Sequence, residues 1–223
     1  MQVVAYGEHP SQFGELYLPD GPSRGGVVVI HGGFWHQRYG LELGRPLAEV
    51  LVAEGFSVWN IEYRRVGGGG GWPATLDDVV AAVEVVDVGP VVALGHSAGG
   101  HLAVYAAKHS DKVIGVVSQA GVLDFESHPS ITRRAAELLG GMPSEVPERY
   151  ALASPARLVP VGKPVVCVHG DLDEDVPVEQ SLGFPGAEVV VVEGAGHMDV
   201  ITPGNVAWER CHDAVVRLAR PCY

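Results

Sequence analysis

Six short runs of this chain are apolar and rich in β-branched residues: 26–30, 56–61, 90–94, 113–118, 164–168 and 187–192. Several hold almost nothing but Val and Ile, with no polar alternation. A strand wetted on one side alternates; a strand that does not must be buried on both faces, as in a parallel sheet covered by helices. The stretches between supply the covering. Residues 41–54, 75–86, 98–109 and 205–219 carry apolar side chains at three- and four-residue spacing. This rhythm predicts an α/β fold, a mostly parallel, doubly wound sheet with helices on both faces. An opening strand pair at 12–18 and 27–30, joined by the Pro-Asp-Gly-Pro turn at 19–22, is expected to lead into it.

The rhythm breaks once. Residues 122–161 contain Pro129, Pro143, Pro147, Pro155 and Pro160, one helical pattern at 132–139 and a possible second turn at 147–153. Such an insertion after a buried strand reads as a small cap over one edge of the sheet. The 223 residues, 47% of them apolar, fit one domain over 1–223. With 15 Lys+Arg against 27 Asp+Glu the formal charge is −12, which repels nucleic acid and anionic membrane surfaces. No run approaches the roughly 18–20 apolar residues of a membrane span. The start shows no basic region followed by an apolar one. Cys167, Cys211 and Cys222 are too few, and odd in number, for a disulfide framework. A reduced, cytoplasmic protein is expected.

Three motifs follow predicted strands. Gly95-His96-Ser97-Ala98-Gly99 joins an apolar strand to a helical pattern. A serine on such a turn projects its hydroxyl clear of the sheet, the flanking glycines let two chain segments approach, and the helix beginning at Ala98 aims its first amides at developing negative charge. His31-Gly32-Gly33-Phe34-Trp35 ends the first buried strand, and its glycine corner can present uncrowded amides to an oxyanion. His31 itself reads as a hydrogen-bond partner that steadies the corner. Gly194-Ala195-Gly196-His197 follows the last strand, and His197 alone among ten histidines combines that position, flanking glycines and the chain order serine, acid, histidine.

The acid belongs after strand 164–168, where Asp171, Asp173, Glu174 and Asp175 are all on offer. Their Asp-x-Asp-x-Asp spacing resembles the start of a calcium loop, but Val176 stands where that loop needs Gly and Leu182 where it needs Glu. The glycine run 67–71 lacks the Lys-Ser/Thr of a phosphate loop. There is no His-Glu-x-x-His or Cys-x-x-Cys, so no metal or other cofactor is expected.

Taken together, His31–Trp35, Glu62-Tyr63-Arg64-Arg65 with 67–73, 95–103, 169–177 and Gly196-His197 resemble the α/β-hydrolase superfamily, in its carboxylesterase and kynurenine-formamidase-like branch. The resemblance implies Ser97 as nucleophile, His197 as proton relay and Asp173 as its orienting acid. It maps the oxyanion donors to the amides of Gly33, Phe34 and Ala98. Elimination agrees on the acid: Asp171 suits a local turn, Asp175 suits the cap of a short helix near Pro177, and Glu174 is longer and solvated. Trp35 and Trp72, with Phe34, are candidate walls of a substrate pocket. Only seven residues separate Gln180 from Glu188, where these enzymes carry a full helix, so a trimmed crossover with one helical turn is expected.

The reaction so implied is hydrolysis of a small carboxylic ester or N-formyl amide through an acyl-enzyme. The alternatives are a peptidase or acyl-aminoacyl hydrolase, and a catalytically silent binding protein on the same fold.

Overall fold

The computed structural model describes residues 1–219; Cys222 lies outside them. Eight strands form one sheet: β1 (Gln2–Ala5), β2 (Phe13–Tyr17), β3 (Gly26–Ile30), β4 (Ser57–Ile61), β5 (Val91–His96), β6 (Val113–Gln119), β7 (Val165–Gly170) and β8 (Glu188–Val192). Their spatial order is β1-β2-β4-β3-β5-β6-β7-β8. The pairs β1–β2 and β2–β4 are antiparallel and the rest are parallel. Among the described residues seven α-helices accompany them: α1 (Arg45–Ala53), α2 (Ala74–Val85), α3 (Ala98–His109), α4 (Pro129–Leu139), α5 (Pro147–Ala153), α6 (Glu179–Leu182) and α7 (Val206–Leu218). None is long and apolar enough to cross a membrane.

The unalternating strands are explained by two cores. Val28, Ile30, Val91, Ala93, Val116 and Cys167 point to one face and pack with α2 and α3. Their chain neighbours Val27, Val29, Val92, Leu94, Val117 and Val168 point to the other and pack with α1 and α7. Successive side chains of a strand face opposite ways, so both registers must be apolar. Each fully buried Val or Ile side chain adds about 1.5–3 kcal/mol of transfer free energy.

The insertion is built into the first of these cores. Ile131, Ala135, Leu138 and Leu139 of α4, with Tyr150 and Ala153 of α5, are buried there beside α2 and α3. It is fastened from α6 as well. The Gln180 Oε1 accepts the amides of Leu123 (2.7 Å) and Asp124 (2.8 Å), and its Nε2 donates to the Asp124 carbonyl (2.9 Å) and Ser127 Oγ (2.6 Å). The four-residue α6 is the single helical turn expected of the trimmed link between β7 and β8.

Three expectations need correcting. The opening strands are not partners: β2 lies between β1 and β4, while β3 lies between β4 and β5. A wholly apolar strand such as β3 suits a place with parallel neighbours on both edges and helices on both faces, so β2 lies outward of it, beyond β4. There it meets β1, a strand with every residue exposed and no apolar pattern to announce it. Second, residues 41–54 are not one helix. Leu41–Leu43 form a 3₁₀ turn and α1 starts at Arg45, because Pro46 cannot donate an amide and belongs in a first turn. Third, α4 starts earlier than 132, at Pro129, where His128 caps it by accepting the Ser130 amide.

Candidate active site

The serine turn is as strained as its motif implies. Ser97 has φ 54° and ψ −117°, between the end of β5 and the start of α3. A Cβ at Gly99 would run into the Ile30 carbonyl, and one at Gly95 into the Gly99 carbonyl. Both glycines are therefore required by close approach rather than by a left-handed backbone. Strain of this kind costs about 1–3 kcal/mol and persists only where the surroundings fix it. The Ser97 amide donates to the Gln119 carbonyl (2.8 Å) and its carbonyl accepts from Gly100 and Val122, which clamps the turn. The Ser97 Oγ is buried and has no hydrogen-bond partner among the described residues.

The glycine corner lies against this turn. A Cβ on Gly32 would come within 2.9 Å of the Ser97 Cβ. Gly33, Phe34 and Trp35 follow with φ of 106°, 52° and 59°. Three successive left-handed residues coil the chain tightly, closed by the His36 amide on the Gly33 carbonyl and the Val66 amide on the Trp35 carbonyl. Among the described residues the Gly33 and Phe34 amides make no hydrogen bond, and the Ala98 amide heads α3, where no preceding turn supplies an acceptor. These three donors are available to an anion.

The corner is steadied from below. His31 offers Nδ1 to the Gly32 carbonyl (2.7 Å) and Nε2 to the Glu62 carboxylate (2.9 Å), and stacks on Tyr63. Glu62 is buried and also accepts the amides of Tyr63 and Leu41 and pairs with Arg65 at 3.0 Å. His31 thus has the structural place the sequence suggested. Trp35 does not line a pocket. It is 1% exposed, edge-on to Phe125, with its indole N–H donated to His101 Nδ1 (3.1 Å). The aromatic size that made it a candidate wall is used inside the core. Trp72 is half-buried, its amide bonded to the Leu138 carbonyl. Phe34 is also half-buried, with the Arg134 guanidinium 4.0 Å above its ring.

Asp173 and His197 meet: His197 Nδ1 lies 2.7 Å from Asp173 Oδ2. The same oxygen faces His169 Nε2 at 3.2 Å, while Oδ1 accepts the amides of Asp175 (2.9 Å) and Val176 (2.8 Å). Burial alone raises the Asp173 carboxyl. The bonds from His169 and His197, with the Val176 amide, outweigh it and hold the group well below the usual carboxylate range. His169 is itself wedged between Ser181 Oγ (2.8 Å) and the Val176 carbonyl (2.9 Å).

The other acids are placed elsewhere. Asp171 does not bond a local turn; its Oδ1 accepts the Gly194 amide (2.7 Å) on the loop that carries His197. Asp175 caps nothing, since α6 begins at Glu179 with Val178 as its uncapped flank. Residues that sequence reasoning passed over are His169, Gln180 and His96; the partners of Gln180 and His96 are remote in the chain, while those of His169 lie four to twelve residues on. Among the described residues, no cluster of three or more His, Cys, Asp or Glu could hold a metal.

The sheet order, the strained serine turn and the acid–histidine pair beyond β7 and β8 define an α/β-hydrolase. The chain belongs to the BD-FAE family, which matches residues 15–186. Among solved structures it is similar to a bifunctional GH43-CE protein of Bacteroides eggerthii, with TM-score 0.82, 24% identity, 96% of this chain and 34% of that one covered. This chain thus spans about a third of that protein's length. It is similar too to esterase 2 of the planctomycete Thermogutta terrifontis with propionate bound, with TM-score 0.75, 22% identity, and 100% and 96% covered. The same esterase phosphonylated by sarin gives TM-score 0.76, 22% identity, and 96% and 91% covered. No curated protein matches significantly.

Proposed function

We propose that this protein is a serine esterase acting on small carboxylic esters through an acyl-enzyme. The observation that carries the reading is the 2.7 Å bond between Asp173 and His197 on a loop docked beside the strained Ser97 turn. Asp173 accepts a hydrogen bond from His197 Nδ1–H, which fixes the tautomer that leaves Nε2 unprotonated and able to act as a base. As the Ser97 Oγ attacks the substrate carbonyl carbon, its proton passes to His197 Nε2. The carbonyl oxygen becomes an oxyanion beside the amides of Gly33, Phe34 and Ala98. The C–O bond to the leaving alcohol breaks, and His197 returns the proton to that alcohol. Water then attacks the acyl-enzyme, with its proton taken by His197 and delivered to Ser97 Oγ as the acid departs.

Short acyl chains are the favoured substrates. The Arg134 guanidinium of α4 lies over the Phe34 ring beside the oxyanion donors, and the T. terrifontis esterase carries propionate in its structure. Two buried free thiols, Cys167 and Cys211, fit a reducing cytoplasm.

Labelling with a fluorophosphonate tests the reading. The adduct should map to Ser97 by mass spectrometry, and Ser97→Ala should abolish both labelling and hydrolysis of nitrophenyl acetate. A tenth of the activity surviving in Ser97→Ala overturns it. Comparing nitrophenyl esters of two to twelve carbons with an N-formyl arylamine decides chain length and separates ester from formamide preference. EDTA should leave all these rates unchanged.

A further inference from the structure

Two buried polar atoms behind the serine turn lack partners, and the residues that bear them line one cavity. His96 donates from Nε2 to the His197 carbonyl at 3.0 Å, which fixes the proton on Nε2 and leaves Nδ1 a bare acceptor. Nδ1 is buried with no hydrogen bond. Gln119, at the end of β6, donates its amide to the Val200 carbonyl, three residues past His197, and its Oε1 is likewise buried and unpaired. His96 and Gln119 line one pocket together with Ile30, Gly32, Gly44, Leu47 and Ile201, with room of about 10 Å³. That is about the space of one water molecule, and a water needs two or more polar partners to stay. Its two O–H groups match the two orphaned acceptors, each of which would otherwise cost free energy on burial.

We propose that this cavity is a binding site for one ordered water, donated to His96 Nδ1 and Gln119 Oε1, and that His96 is thereby a positioning residue for His197. His96 directly precedes Ser97, and its ring packs on the His197 ring at 4.6 Å. It is the contact by which the turn bearing the nucleophile holds the loop bearing the base. A charged His96 would be of no use here, and the ring is kept neutral: burial, then the neighbouring His197, lowers it to about 3. The water completes the arrangement by holding Nδ1 unprotonated, so that the single N–H always points at the His197 loop.

The inference rests on His197 being the base, but its first test does not. In ¹⁵N-labelled protein the His96 ring should show a protonated Nε2 and a hydrogen-bonded, unprotonated Nδ1 unchanged from pH 5 to 9. A crystal structure at about 1.5 Å resolution should show one water between His96 and Gln119. An Nδ1–H tautomer, titration of His96 in that range or an empty cavity each overturns the proposal, whatever the enzyme does. The kinetic arm concerns the positioning role. His96→Phe should lower kcat about tenfold or more with KM within about twofold, since only the geometry of the base is lost. His96→Gln, whose amide can donate from the Nε2 position, should recover most of that loss. Full activity in His96→Phe, or no recovery in a folded His96→Gln, overturns the positioning role. Full activity in His197→Ala sinks the esterase reading instead.

Discussion

Asp173 reaches His197 with one carboxylate oxygen and holds its own loop with the other. Oδ2 lies 2.7 Å from His197 Nδ1, and Oδ1 accepts the Asp175 and Val176 amides. Orientation of the base is therefore fixed by the turn that fixes the acid.

Asp173→Asn should lower kcat by about 10³–10⁴-fold, because an amide in this site can hold His197 in the wrong tautomer. The side-chain oxygen can keep the two turn amides, but the new N–H₂ then faces two ring nitrogens, one of them His169 Nε2. His169 already donates from that nitrogen to the Val176 carbonyl, so a clash of donors follows. A stability loss of about 1–3 kcal/mol should accompany the rate loss, measured by urea unfolding. A variant of normal stability and near-normal kcat contradicts the assignment.

The same carboxylate makes stability fall in acid. Its value in the folded state lies below that in the unfolded chain, so the unfolded chain binds the proton more readily. The contribution is fully present above about pH 5 and is lost progressively as the pH drops through and below about 4. Thermal unfolding between pH 3 and 7 should show the decline in the wild type and a shallower one in Asp173→Asn. Parallel curves would locate the acid sensitivity elsewhere.

Asp171→Asn and Asp175→Asn should each keep kcat within about tenfold of the wild type. Asp171 ties the loop of His197 through the Gly194 amide, and Asn can accept the same bond without its charge. Asp175 is exposed and uses only its backbone. A larger kcat loss in either than in Asp173→Asn would mean the loop register is wrong.

Glu62→Gln should destabilise without touching the reacting atoms. The buried carboxylate faces His31, Arg65 and two amides. Removing one partner of a buried charged network typically costs about 3–5 kcal/mol. At about 2–4 °C per kcal/mol for a chain of this size, calorimetry should show a Tm roughly 6–20 °C lower. A change under 2 °C would show that the network carries no net stability.

What the sequence disclosed and what it hid divide by distance along the chain. The Ser97 turn was legible because the strand, glycines and helix that strain it are contiguous. The two faces of the sheet were legible because both cores leave their mark on the same strand, as Val28 and Val29 do. The rim was not: β1 is four residues long and exposed throughout, and the pairing of β2 with β4 follows from what β3 needs on its edges. Within the site, Asp173 was named from the resemblance and by elimination, yet two of the reasons for elimination were wrong. Asp171 bonds a loop 23 residues on, and Asp175 caps no helix. His96 lay hidden because its partner, the His197 carbonyl, is adjacent only after folding; His169 lay hidden because nothing in the spacing told it from the other histidines, although Asp173 is only four residues on. Trp35 was misplaced because an indole suits a pocket wall and a core equally well until its N–H partner, His101, is known.

The insertion, whose Arg134 lies over Phe34, is not built as a flap. A flap can swing only if its underside is wet or weakly held. Here the underside is Ile131, Ala135, Leu138, Tyr150 and Ala153, all sealed into the same core as α2 and α3, and Gln180 rivets its root with four hydrogen bonds. Lifting it would expose those core side chains and break the four bonds. An insertion held in this way has no free underside on which to hinge. Hydrolysis should therefore rise smoothly with ester concentration, with no jump where the ester passes its solubility limit.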